Sequence, residues 1–129
     1  MIVTYDSLTG QSKKFASKLN LQIEDVNRYT PHPGDEVLLV TRSFRFGEIP
    51  DPTKHFLERY AKQVVAVCVS GNRNWGKGFG AAGDKIEKQY HIPLVLKFEA
   101  SGFASDVETV KTWILNYQKE KGRIHNVNV

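Results

Sequence analysis

A single cysteine, Cys68, in 129 residues excludes any internal disulfide, and with it a small fold stapled by bridges. No apolar run approaches the roughly 18 residues of a membrane span. Residues 1–6 carry neither a basic segment nor a long apolar stretch that would direct export. A cytoplasmic protein with no membrane partner is expected. The histidines His32, His55, His91 and His125 are scattered, with no i, i+4 pair and no cysteine partner, which argues against a zinc site. There is no Gly-Lys-Ser/Thr phosphate loop and no G-x-S-x-G elbow, and Arg42 and Ser43 stand where a phosphoacceptor receiver domain needs an aspartate. Cys68 lies inside an apolar run and reads as core. With no acid–base or nucleophile set, no catalytic or metal-binding side chain is assigned, and any chemistry is expected to belong to a bound cofactor.

At this length the chain is expected to be one domain, and its 40% hydrophobic content suffices for a buried core. Such a core needs no self-association, so a monomer is expected. Eighteen basic against 14 acidic side chains give a net charge of +4, which suggests an anionic ligand or partner.

Five apolar runs rich in β-branched residues, at 2–5, 21–26, 36–41, 64–69 and 94–98, alternate with helical spacing at 12–19, 52–60, 81–90 and 105–121. The runs Val37-Leu38-Leu39-Val40 and Val64-Val65-Ala66-Val67-Cys68-Val69 do not alternate with polar residues, as expected of central strands covered on both faces. The order βαββαβαβα predicts an α/β flavodoxin-like three-layer sandwich: a five-stranded parallel sheet, order 2-1-3-4-5, with helices on both faces. Residues 1–121 form the domain and 122–129 a tail without assignable pattern. Ligands of such sheets bind at the carboxyl ends of the strands, here the loops after strands 1, 3 and 4.

The first of these loops, Asp6-Ser7-Leu8-Thr9-Gly10-Gln11-Ser12, offers hydroxyls, a glycine and free N–H groups beside a helix start. It reads as a phosphate cradle or as an ordinary capping turn. The second, Arg42-Ser43-Phe44-Arg45-Phe46-Gly47, is either a wall against a flat ring or a plug for the core. The third, Ser70-Gly71-Asn72-Arg73-Asn74-Trp75-Gly76-Lys77-Gly78-Phe79-Gly80, is long and rich in glycine and amides. Trp75 is suited to stacking on a ring, with Asn72 and Asn74 or backbone groups bonding the ring edge. The literal G-x-G-x-x-G match at residues 78–83, with Glu99 beyond it, is discounted because it does not follow the first strand. Together the loops predict an FMN site, with phosphate on the first loop and isoalloxazine between the other two.

From Val3-Thr4-Tyr5-Asp6-Ser7-Leu8-Thr9-Gly10, through Phe46-Gly47 and Ser70-Gly71-Asn72-Arg73-Asn74-Trp75-Gly76, to Phe98-Glu99-Ala100-Ser101-Gly102 and Asp106-Val107-Glu108, the chain resembles the ribonucleotide reductase stimulatory flavoproteins, the NrdI family. The resemblance implies an auxiliary flavoprotein whose reduced flavin reacts with O2. The superoxide formed would reach the dimanganese centre of the class Ib ribonucleotide reductase small subunit and support its tyrosyl radical. It implies Ser7, Thr9, Gly10, Gln11 and Ser12 at the phosphate, and Trp75 near the ring with Gly71, Asn72 and Phe79. A separate reductant is required. Where short-loop family members have Thr-Thr-Gly-Phe-Gly, this chain has Ser43-Phe44-Arg45-Phe46-Gly47. Arg45 thus replaces a glycine whose peptide turns toward the reduced flavin; if that turn needs positive φ, a side chain costs about 1 kcal/mol. Arg42, Arg45, Lys62, Arg73 and Lys77 are expected to place positive charge around the ring. The alternatives are an electron carrier serving another acceptor and a non-enzymatic module gripping single-stranded nucleic acid, of which the second is disfavoured.

Overall fold

Strand β3 (Val37–Arg42) and strand β4 (Val64–Gly71) lie at the centre of the sheet, and their unbroken apolar character has a direct cause. Successive side chains point to opposite faces, and both faces are covered. Leu38, Val40, Ala66 and Cys68 face one helical layer, while Val37, Leu39, Val67 and Val69 face the other. The computed structural model describes residues 1–127, with side chains through residue 122. The remaining elements are β1 (Ile2–Tyr5), α1 (Gln11–Ser17), β2 (Gln22–Asp25), α2 (Asp51–Tyr60), α3 (Ala81–Tyr90), β5 (Leu94–Glu99) and α4 (Ala104–Val127). All strand pairs are parallel and the order is β2-β1-β3-β4-β5, as the alternation of runs predicts.

Helices α1 and α4 cover one face with Phe15, Ala16, Val107, Val110 and Ile114. Phe15 stacks on Phe98 of β5 with centroids 4.1 Å apart. Each such ring removed from water contributes about 1.5–3 kcal/mol. Helices α2 and α3 cover the other face with Phe56, Leu57, Ala82 and Ile86. Helix α2 has proline in its first turn, where the missing N–H is harmless, and Asp51 beside it. Helix α3 approaches the sheet so closely at Gly83 that a Cβ there would meet Leu94 and Val69 at 2.7 Å. It ends at His91 in the left-handed region, two residues before Pro93.

Two departures from the sequence reading have physical reasons. Helix α4, expected to stop at Lys121, continues to Val127. Gly122 reads as a terminator, but one helical glycine costs only about 1 kcal/mol. Residues 128–129 of the expected tail lie outside the described residues. The third loop, whose glycines and amides give no helical or strand period, forms a 3-10 turn over Arg73–Gly78, kinked at Gly76 and closed by the Asn72 side chain.

No helix separates β2 from β3. The connection between them packs Val26 and Tyr29 against the α2 side of the sheet, with Tyr29 stacked on Phe56. Asp35 fixes it by accepting bonds from the Tyr29 hydroxyl at 2.8 Å and the His32 N–H at 2.9 Å. The His32 N–H and the Tyr29 hydroxyl hold the Asp35 carboxyl below its usual range, while burial and Asp35 push the Tyr29 hydroxyl up. Gln63, from the turn before β4, donates to the His32 carbonyl at 2.8 Å.

Candidate functional site

The three loops after β1, β3 and β4 meet at the carboxyl end of the sheet. They enclose a cleft of about 210 Å3 lined by Ser7, Leu8, Thr9, Gln11, Ser12, Arg42, Ser43, Ser70, Gly71, Asn72 and Trp75. Of the other residues expected at the site, Gly10 caps α1, Phe44, Arg45, Phe46 and Gly47 form the loop beside the cleft, and Phe79 follows the 3-10 turn. None of these six lines the cavity itself.

The first loop is not a simple capping turn. Gly10 is the N-cap of α1 with φ 91°, and no side chain caps the helix. Its first N–H groups therefore have no intrahelical acceptor. The Ser12 hydroxyl is used elsewhere, donating to the Thr41 carbonyl at 3.3 Å and tying α1 to β3. Ser7 Oγ is buried without a hydrogen-bond partner among the described residues. A buried hydroxyl left this way costs about 1–3 kcal/mol. An anionic oxygen in the cleft would satisfy it, so the loop fits a phosphate-bearing group.

The second loop is a tight return in which Phe44 and Glu48 exchange backbone bonds of 2.8 and 2.7 Å. Arg45 takes φ 52°, the left-handed conformation that the family glycine would adopt freely. Its guanidinium lies 5.1 Å from the Phe44 ring centroid. Gly47 has φ 99°, and a Cβ there would meet the Ala81 Cβ at 2.5 Å, so the loop is seated directly on the start of α3. Phe46 does not plug the core: it is 89% exposed.

In the third loop, Asn72 Oδ1 accepts from the Asn74 N–H at 2.9 Å and so closes the 3-10 turn, while Asn72 also lines the cleft. Asn74 does not line the cleft, whereas Trp75, half exposed, does. The Arg73 guanidinium lies 4.9 Å from the Phe79 ring centroid, and the Arg73 N–H donates to Glu99 at 3.0 Å.

A buried polar group below the cleft escaped the sequence reading. Asp6, at the end of β1, accepts from Arg42 Nε at 3.2 Å and from the Thr53 hydroxyl at 2.7 Å. Thr53 and Thr41 hydroxyls are 2.7 Å apart. This joins β1, β3 and α2 beneath the first two loops, and it pairs the Arg42 charge. The expected ring of positive charge is correspondingly thinner. Lys62 sits in the 3-10 turn before β4, at the opposite end of the sheet, because neighbours in sequence on either side of a strand are separated by its whole length. In the sequence Asp6, Thr41 and Arg42 stand at the ends of apolar strands, but nothing local marks Thr53 of α2 as their partner.

The sheet order and the loop cleft at its carboxyl edge define a flavodoxin-like protein. The fold matches a short-chain flavodoxin associated with a non-canonical PDU bacterial microcompartment with a TM-score of 0.70 and 16% identity, covering 86% of this chain and 90% of that one. It matches oxidised flavodoxin 2 from Bacillus cereus with a TM-score of 0.68 and 18% identity, covering 92% and 97%. Residues 3–112 match the model of the NrdI flavodoxin-like family. The chain is also 41% identical over 115 residues to Protein NrdI of Macrococcus caseolyticus strain JCSC5402, 84% of each chain. The chain belongs to the NrdI flavodoxin-like family, and a flavin cofactor follows from that membership. Among the described residues, no helix is long and apolar enough to cross a membrane.

Proposed function

We propose that residues 1–121 form a cytoplasmic, monomeric FMN-binding unit that activates the small subunit of a class Ib ribonucleotide reductase. The observation that carries the cofactor assignment is the orphaned Ser7 hydroxyl in a loop with uncapped helical N–H groups. A terminal phosphate monoester, as in FMN, offers several acceptor oxygens to such a set. Ser7, Thr9 and Gln11 would hold that phosphate, with Gly10 giving the turn and Ser12 anchoring the helix to β3. Trp75 and Leu8 would flank the ring. Asn72 and Gly71 shape the wall behind it, and Asp6 keeps Arg42 oriented at the rim.

Bound there, FMN would supply the redox chemistry, taking electrons from a separate donor and passing one to O2 to give superoxide for the dimanganese centre. The protein's own part would be to bind the cofactor in the cleft and present the rim of that cleft to the partner. Family membership supports this partner, and the exposed Phe46 beside the cleft supports contact with another protein.

Two measurements test the reading. Purified protein should carry a flavin spectrum and release FMN on denaturation; a colourless protein that does not take up FMN would refute the cofactor assignment. Reduced, FMN-loaded protein mixed in air with manganese-loaded small subunit should generate a tyrosyl radical by electron paramagnetic resonance. A signal no greater than that of a flavin-free control would refute the activator role and leave the electron-carrier reading.

A further inference from the structure

A second cavity, about 450 Å3, lies between residues 26–30 and the flank of α2, and it shares no lining residue with the flavin cleft. Its origin is topological. Doubly wound sheets cover each face with crossover helices, but here β2 leads to β3 without one. The β1–β2 end of that face is left with a groove where a helix would otherwise pack.

The groove is built from two kinds of side chain. Tyr29, Phe56 and Tyr60 form an aromatic wall, with centroid separations of 6.2 Å for the first pair and 5.2 Å for the second. Phe56 is buried and the two tyrosines are half-buried, so they present ring surface to the cavity. Arg28 from the connection and Arg59 from α2 line the same space, and neither has an ion-pair partner among the described residues. His55 adds a donor and Glu58 is the single carboxylate in the lining. The wall is held in place before any ligand arrives, because Asp35 bonds Tyr29 and Gln63 bonds the connection to the turn before β4.

We propose that this groove is a binding site for an anionic ligand with a flat ring, a free nucleotide in its simplest form. The ring lies against the half-buried tyrosines, and the phosphate is taken between Arg28 and Arg59. Planar guanidinium groups bond phosphate oxygens in pairs, and aromatic faces of moderate exposure suit a heterocycle better than an aliphatic chain. A cation would find only Glu58 facing it beside two arginines, and a purely apolar ligand would leave both exposed guanidinium groups without a partner.

The test is a nuclear magnetic resonance titration of the full chain carrying one equivalent of FMN and no excess, since FMN is itself an anionic flat-ring ligand, using adenosine monophosphate, adenosine and inorganic phosphate in turn. The monophosphate should shift amides of residues 26–30 and 52–60 saturably, and bind about tenfold or more tighter than either fragment alone. The Arg28→Ala, Arg59→Ala double variant should weaken it by a similar factor while its own amide spectrum keeps the native pattern. No saturable shift at millimolar ligand would overturn the site. So would shifts confined to residues 7–12 and 70–75, undiminished binding by the double variant, or phosphate binding as tightly as the monophosphate. The location of the shifts separates this outcome from failure of the flavin assignment, which the absorbance spectrum reports independently.

Discussion

Arg45 holds a backbone conformation that costs an ordinary residue about 1–2 kcal/mol. Replacing it by glycine removes that strain, but adds about 0.5–1 kcal/mol of chain entropy to the unfolded state and loses the stacking on Phe44. These terms nearly cancel. Arg45→Gly is therefore expected to leave urea stability within about 1 kcal/mol of the parent, yet to raise the yield of one-electron-reduced flavin in a reductive titration, because the loop peptide turns more freely. An unchanged yield would mean that the arginine backbone already turns. The Asp6 group behaves differently. The Asp6 side chain is 3% exposed and that of Arg42 is 19% exposed. Removing the arginine strands a buried carboxylate with only Thr53 to bond it, whereas removing the carboxylate leaves a guanidinium that can turn to water. Arg42→Ala should cost about 3 kcal/mol in urea denaturation, and more than Asp6→Asn; the reverse order would show that the pair is not held as described.

At the scale of elements, the second loop is limited by its seat on α3. Gly47→Ala meets both an unfavourable φ and the Ala81 methyl at 2.5 Å. A loss of about 2 kcal/mol or more is expected, together with weaker FMN binding by fluorescence quenching. Full affinity would separate this loop from the cofactor. Strand β4 makes the opposite kind of statement: burial pushes the Cys68 thiol up to about 12 and removes it from solvent. Alkylating reagents at mildly alkaline pH should therefore label it only on unfolding. Elements such as β3 and β4 were legible in the sequence because burial on both faces demands uninterrupted apolar residues. The glycine, hydroxyl and amide content of loops one and three was equally plain. Asp6, Thr41 and Thr53 were not, since the bonds among them join residues 12 and 47 positions apart and leave no local pattern. The same limit misplaced Lys62, whose sequence proximity to β4 says nothing about which end of the strand it occupies.

Across the described residues of the molecule, four of the six exposed large hydrophobic residues, Leu8, Phe44, Phe46 and Trp75, belong to the three loops, and Phe103 and Leu115 lie outside them. Phe46→Ala should leave FMN affinity unchanged while weakening the complex with the reductase small subunit, measured by calorimetry. Equal binding of parent and variant would move the docking surface elsewhere. Acid stability depends on the other end of the sheet. Because the folded Asp35 carboxyl is lowered, its contribution is present above the unfolded carboxylate range and is lost as pH falls through the folded value. Urea midpoints from about pH 6 to about pH 3 should fall less steeply for Asp35→Asn than for the parent.

Strand β2 is an edge strand, paired only with β1 and followed by a connection that contains no helix. Its amides should exchange with solvent deuterium through local opening, well before those of β3 and β4, which exchange only when the whole domain unfolds. The groove beside α2 is thus walled on one side by the segment that opens first. A ligand held there would slow deuterium uptake across residues 22–30 and leave the centre of the sheet unaltered.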